Sequence, residues 1–119
     1  MNIKAALADA LIAASGDGLI AVDRAGNIVV FNPAAGRIFG RAPEEMIGRE
    51  LSPLFPPDTV GQHAQYMAEY FAGGGRGVVG STLEQEGWHS DGHPVPLELS
   101  LSATTVEGEQ LVLAVIRDV

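Results

Sequence analysis

The residue types best suited to chemistry in this sequence are its three histidines. His63 lies in "TVGQHAQYMAEYF", where Val60, His63, Met67 and Tyr70 recur at helical spacing and form one stripe. A neutral imidazole oriented in an apolar cavity is a good iron ligand, so one interpretation is a ligand for a cofactor inside the fold. The other, which we favour, is a partly buried histidine hydrogen-bonded to the backbone or to a tyrosine, because buried polar groups normally find such partners.

The other two histidines flank an acidic turn. His89 and His93 enclose Asp91 in "HSDGH", and two imidazoles with a carboxylate are metal-ligand types. Three such groups in a short turn rarely converge without a structured loop. The sequence therefore favours solvent-exposed turn residues over a metal site.

The remaining reactive residue types form no catalytic constellation. Glu44 and Glu45 stand at a predicted helix start, where the helix dipole favours carboxylates. Ser100 and Ser102 alternate along a predicted strand with no evident base partner. The run "GGGRG" lacks the Lys and the Ser or Thr of a phosphate-binding loop. We therefore predict that this domain by itself is not an enzyme.

The composition argues against some kinds of binding partner and bears on the cellular compartment. The formal net charge is −8, and the one Lys and six Arg are scattered, whereas phosphate contacts need clustered basic residues. We predict no direct nucleic-acid binding. No apolar run is long enough to cross a bilayer, so we predict no membrane contact from this segment. The absence of cysteine excludes disulfides and thiolate chemistry and is compatible with the cytoplasm, where we expect the protein to act.

Capping and turn residues predict the order of the elements. A first helix, about Ile3 to Ala14, carries an apolar stripe of Ile3, Ala6, Leu7, Ala10, Leu11 and Ala14. Two short strands follow in "GLIAVDRAGNIVVFN", with Gly26 in the turn between them. Asn32 and Pro33 start a helix that Gly40 ends, and "APEEMIGRELSPLF" predicts one or two helical turns. A longer helix is expected at about 58–72, before the glycines at 73–75.

The last third of the chain reads as three strands. "GVVGSTLEQEGW", "PVPLELSLSATTV" and "QLVLAVIRDV" are joined by "HSDGH" and "EGE", both natural hairpin turns. In the middle segment Leu97, Leu99 and Leu101 alternate with polar residues, which is typical of a sheet with one buried face. We predict an α+β fold in which helices gather over one face of an antiparallel sheet.

This order and its motifs resemble the PAS domain family. The motifs are "DGLIAVDRAGNIVVFNPAAGRIFG", "EEMIGREL", "SDGHPVPLELSLS" and the final "VIRDV", covering about Ser15 to Val119. The resemblance implies a five-stranded antiparallel sheet, with helices over one face that enclose a central pocket. We divide the chain into an N-terminal amphipathic flanking helix, 1–14, and a PAS domain, 15–119. Members of the family usually act as sensors or dimerisation modules in histidine kinases and transcription factors.

The resemblance also suggests cofactors. "HAQYMAEY" is similar to the helix of haem-binding, oxygen-sensing PAS domains, and the iron-ligand role would fall on His63. Those relatives carry arginines where this sequence has Glu69 and Leu83, so a haem here would lack a charge near its propionates and a donor to bound oxygen. Photochemical flavin members use a cysteine, which is absent. Noncovalent flavin stacked on Trp88 is less favoured than haem.

We therefore predict a sensory module that binds a small molecule or cofactor in a central pocket and signals to an output domain, a histidine kinase or transcription regulator. The alternative is a ligand-free dimerisation domain. Either way we expect a homodimer through the first helix. The residues predicted to bind the ligand are His63, Met67, Tyr70, Leu83, Leu97, Leu99 and Val115. The pocket walls would further include Ile20 or Val22, Val29, Phe39, Leu54 and Leu113.

Overall fold

A computed structural model describes residues 2–57 and 82–119 of the chain. Five strands form one antiparallel sheet in the order β2-β1-β5-β4-β3, and short helices cover one face of it. The elements in chain order are α1 Ile3–Ala14, β1 Gly18–Asp23, β2 Ile28–Phe31, α2 Pro33–Phe39, α3 Pro43–Met46, a 3₁₀ turn Ser52–Leu54, β3 Thr82–Trp88, β4 Pro94–Val106 and β5 Glu109–Asp118. The predicted α+β class and the N-terminal helix are confirmed.

The β1–β2 hairpin forms where the turn residues predict it. The Asp23 carboxylate accepts the backbone N–H groups of Ala25 and Asn27 at 3.0 and 2.9 Å, and Gly26 supplies the left-handed backbone with a φ of 86°. Beyond the turn the register shifts: Ala21 pairs with Val30, but the next residue pairs with Ile28.

That shift leaves Val29 as an extra residue in β2. Val29 is 40% exposed, so the expectation that it lines the interior is wrong. A bulge of this kind places two residues of one strand opposite one residue of the other, and the alternation of inward and outward side chains fails there. Ile28, beside it, is fully buried instead.

The helix boundaries follow their predicted caps. The Asn32 side chain accepts the N–H of Ala35 at 3.0 Å, with Pro33 in the first turn of α2. Gly40 closes α2 with a φ of 66°. The predicted short turns after it are α3 and the 3₁₀ turn, and Gly48 follows α3 with a φ of 84°.

β3, β4 and β5 are successive antiparallel neighbours, as predicted. The turn of residues 89–93 joins β3 to β4, and Glu107 and Gly108, with φ values of 51° and 83°, join β4 to β5. Such left-handed backbone suits a two-residue hairpin turn. The predicted helix at 58–72 and the predicted beginning of β3 at 77 lie outside the described residues.

One face of the sheet, here called the inner face, carries the core. Alternate residues of the strands pack there against α2, α3 and the 3₁₀ turn. The buried cluster comprises Ile20, Val22, Ile28, Phe31, Ala35, Phe39, Met46, Leu54, Phe55, Leu97, Leu99, Val112 and Ile116. Within this cluster the ring centroids of Phe31 and Phe39 lie 6.3 Å apart, with the ring planes tilted by 42°.

The opposite, outer face of the sheet carries Leu113 and Val115. Val112 and Ile116 are buried on the inner face, so the residues between them at odd positions point outward. Val115 is 41% exposed. Its side chain points away from the interior, so the prediction that it contacts a ligand inside the fold is wrong. Leu113 also lies on the outer face and not, as predicted, in the wall of the pocket.

α1 contributes nothing to the core. None of its residues is buried, and Ile3, Leu7 and Leu11 are more than half exposed along one stripe. Asn2 caps its start by accepting the N–H of Ala5 at 3.2 Å. Within residues 2–57 and 82–119, no helix has the length and apolar character needed to span a membrane.

Candidate functional site

The predicted ligand-binding residues fall into three groups. Leu97 and Leu99 of β4 lie on the inner face and are 1% and 5% exposed, and Leu83 pairs with Leu99 in the β3–β4 register. Val115 points away. His63, Met67 and Tyr70 lie outside the described residues.

The inner surface that the structure describes is therefore apolar. Leu97, Leu99 and Ile116 come from two neighbouring strands, and Leu99 pairs directly with Ile116. Trp88, the candidate stacking partner for flavin, is half-buried at the end of β3. The contacts that these three side chains can offer are apolar.

One buried polar side chain connects three elements. Asn32 is 2% exposed, and its Oδ1 accepts the N–H of Leu19 at 2.8 Å as well as that of Ala35. Its Nδ2 donates to the carbonyls of Ile12, at 2.9 Å, and Asp17, at 3.1 Å. Both donors and the acceptor of the side chain are thus satisfied.

This arrangement gives Asn32 a role that its sequence context does not reveal. The Asn-Pro pair predicts only a helix cap. The two bonds from its amide group reach back to the end of α1 and to the segment before β1, and no periodicity in the sequence indicates them. Through Asn32, the N-terminus of α2 in the core is tied to the C-terminal turn of α1 outside it.

The histidines of the β3–β4 turn come together. The Nδ1 atoms of His89 and His93 both approach the same oxygen, Oδ1, of Asp91; the first distance is 3.0 Å and the second contact is closer. The two imidazoles stack with centroids 4.6 Å apart and planes 14° apart. The three groups do converge, contrary to expectation, because the turn is held in a fixed shape, whereas Asp91 and His93 are solvent-exposed as expected.

The charge of the turn follows from this contact. Desolvation by neighbouring atoms raises the pKa of the Asp91 carboxyl, but attraction to His89 and His93 and hydrogen bonds to both rings together outweigh it. The pKa of Asp91 therefore lies below its usual value, and the carboxylate stays ionised at neutral pH.

The turn is also fastened to the end of α2. Ser90 donates its backbone N–H to the carbonyl of Phe39 at 3.0 Å and its hydroxyl to that of Gly40 at 2.5 Å. The His89 ring lies directly against Gly40, where any Cβ atom would collide with it. These carbonyls have no partner within the helix, so the turn satisfies the C-terminus of α2.

Comparison with known proteins places the fold. A family model described as "PAS fold" matches residues 6–119. An uncharacterized protein of Azorhizobium caulinodans is 33% identical over 111 residues, which cover 92% of this chain and 15% of that protein. Oxygen sensor protein DosP of Escherichia coli is 31% identical over 101 residues, covering 85% of this chain and 13% of DosP.

A solved structure with the same architecture is a PAS domain from a two-component sensor histidine kinase. It has a TM-score of 0.79 and 14% sequence identity, and the match covers 98% of this chain and 97% of that one. At that identity the likeness concerns the fold. The chain spans less than a fifth of the length of the two relatives described above.

Proposed function

The chain belongs to the PAS family, and from that we propose that this domain is a cytoplasmic sensory module. It binds a small molecule or cofactor against the inner face of its sheet and passes the change to an output domain, a histidine kinase or transcription regulator. The observation that carries the proposal is the set of bonds made by Asn32, which joins the core to α1.

The physical reasoning concerns how a change in the core can leave the domain. A ligand shifts a protein between two packings only if it prefers one of them. α2 lines the core through Ala35 and Phe39, and its cap residue Asn32 holds the carbonyl of Ile12. A ligand that displaces α2 therefore alters the bond that holds α1. Because no residue of α1 is buried, little core packing resists its movement.

We further propose that α1 mediates a homodimer. Ile3, Leu7 and Leu11 present exposed apolar side chains along one stripe, and the outer sheet face offers the exposed Val115. A second copy would cover the same stripe by two-fold symmetry. The output domains would then be held as a pair, and a shift of α1 would change their relative position.

For the ligand, we propose haem held by His63. Similarity to an oxygen sensor, DosP, favours this choice over flavin, and the apolar wall of Leu97, Leu99 and Ile116 suits a flat apolar ring. The bound iron would supply gas binding. The alternative is a ligand-free module whose surfaces only hold partners together.

The experiment is to titrate the purified chain with haemin, recording the visible spectrum and hydrogen exchange of α1. We expect a Soret band with one haem per chain, loss of that band in His63→Ala, and altered exchange of the amides of α1. A band that survives His63→Ala refutes the ligand role of His63. No band, together with no small molecule in native mass spectrometry, favours the ligand-free module. Haem binding without any change in α1 refutes the relay.

A further inference from the structure

The turn between β3 and β4 brings three metal-ligand atoms to one point. One ring nitrogen from each of His89 and His93 and one carboxylate oxygen of Asp91 all lie within 4.8 Å of one another. Across the described parts of the chain, this is the one group of three such side chains that meets in space. We propose that His89, Asp91 and His93 form a binding site for one divalent transition-metal cation. The inference is independent of the function proposed for the interior.

A positive charge between the two imidazole nitrogens and the Asp91 oxygen would stabilise their close approach. The His89 Nδ1 accepts the backbone N–H of Asp91 at 3.2 Å and lies 3.0 Å from the carboxylate oxygen of the same residue. The Nδ1 of His93 faces the same oxygen. Three electron-rich atoms this close repel each other unless a proton or a metal ion lies between them.

The spacing fits coordination by His89 and Asp91, and the closer contact of His93 with Asp91 must lengthen by more for its ring to bind the same ion. Zinc binds imidazole nitrogen and carboxylate oxygen at about 2.0–2.2 Å, which in a tetrahedral site separates ligand atoms by roughly 3.4 Å. The 3.0 Å between His89 Nδ1 and Asp91 Oδ1 needs to open by only a few tenths of an ångström. Asp91 and His93 are 58% and 56% exposed, so water can complete the coordination shell.

The backbone of the turn holds the ligands in position before any metal arrives. The N–H of His89 donates to the carbonyl of His93 at 2.9 Å, and the N–H of Gly92 donates to that of His89 at 2.9 Å. Gly92 adopts a φ of 96°, which closes the turn. The Ser90 bonds to the end of α2 fix the whole turn relative to the core. Binding therefore has little loop ordering to overcome.

The types of ligand atom determine which metal ions the site would prefer. Two imidazoles and one carboxylate suit zinc, nickel or copper, whereas magnesium and calcium prefer shells made entirely of oxygen. The chain contains no cysteine, so no thiolate competes for the ion. A bound cation would join β3, β4 and, through Ser90, the C-terminus of α2. It would act on α2 at the end opposite to Asn32.

The test is calorimetric titration of the chain, freed of any polyhistidine tag and treated with chelator, with zinc chloride in a non-coordinating buffer. We expect one zinc per chain. His93→Ala and Asp91→Ala are each expected to weaken binding at least tenfold; both residues are largely exposed, so their removal leaves the core intact. Magnesium chloride should give no binding. The matched control is Glu109→Ala, which removes an exposed carboxylate at the start of β5, away from the turn, and should bind zinc as the unaltered chain does.

Two outcomes would overturn the inference. One is the absence of zinc binding at one equivalent by the unaltered chain. The other is unchanged binding by both His93→Ala and Asp91→Ala, which would put the ion elsewhere. The chemical shifts of the imidazole resonances give a second measurement: zinc should move those of His89 and His93 together and leave those of His63 in place. Circular dichroism of each variant separates loss of the site from loss of the fold.

Discussion

The side-chain amide of Asn32 donates a hydrogen bond of 2.9 Å to the backbone carbonyl of Ile12, which lies 20 residues earlier in the chain. The same side chain caps α2 by accepting the N–H of Ala35. A residue that is 2% exposed thus links a helix in the core to a helix that has no buried residue. Its Oδ1 atom accepts hydrogen bonds and its Nδ2 atom donates them. A substitution can therefore remove the donating role and keep the accepting one.

The first prediction separates the donor and acceptor roles of Asn32. Asn32→Asp keeps an oxygen for Leu19 and Ala35 but loses the amino group that binds Ile12 and Asp17. We expect faster hydrogen exchange in α1, measured by mass spectrometry. Asn32→Ala loses every bond and should lower the free energy of unfolding by about 2–4 kcal/mol, from the lost cap and the buried unpaired groups. Unaltered exchange of α1 in Asn32→Asp would show that the Ile12 bond does not hold the helix.

The second prediction concerns the exposed stripe of α1. Replacing Leu7 and Leu11 together by Gln removes apolar surface that the core does not use, because both are more than half exposed. If a second copy covers this stripe, light scattering should fall from twice the chain mass of 12.4 kDa to that mass. Ala5→Gln, away from the stripe, is the control and should leave the mass unchanged. A dimer that survives the Leu7 and Leu11 changes, or deletion of residues 1–14, would exclude α1 from the interface.

The third prediction tests how closely β3 packs on the core. A Cβ added at Gly87 would lie 2.6 Å from Leu97 Cδ1 and 2.9 Å from Phe39 Cε1. Gly87→Ala should therefore lower the free energy of unfolding, measured with urea, by about 1–3 kcal/mol. Gly16→Ala is the control, since nothing lies within 4 Å of its added Cβ. Equal urea midpoints for the two variants would contradict the packing described for Gly87.

The fourth prediction isolates the contact between His89 and the end of α2. Gly40 and Gly26 both have positive φ, 66° and 86°, so alanine at either position strains the backbone. Only at Gly40 does the added Cβ also collide with the His89 ring and approach Ser90 Oγ at 2.8 Å. Gly40→Ala should thus cost at least about 1 kcal/mol more stability than Gly26→Ala. It should also shift the imidazole resonances of His89, and a loss no greater than that of Gly26→Ala would refute the contact.

Much of the fold could be predicted because it depends on local backbone preference. Gly26 and Gly40 stand where the backbone needs positive φ, and Asn32 with Pro33 starts α2. Leu97 and Leu99 were predictable as inward residues because they alternate with polar neighbours in β4. In β5 the run from Leu111 to Ile116 is apolar throughout, so the inward direction of Ile116 and the outward direction of Val115 could not be read from it.

The sequence by itself determined the element order, the capped helix ends and the hairpin turns, because each depends on residues only a few positions apart. Tertiary structure alone decided three further features: the bulge that exposes Val29, the bond from Asn32 to Ile12, and the meeting of His89, Asp91 and His93. The bulge depends on the strand register. The bond from Asn32 to Ile12 depends on how α1 and α2 lie around this buried side chain. The third depends on the carbonyls at the end of α2, which hold the turn through Ser90 and lie 50 residues from it in the chain.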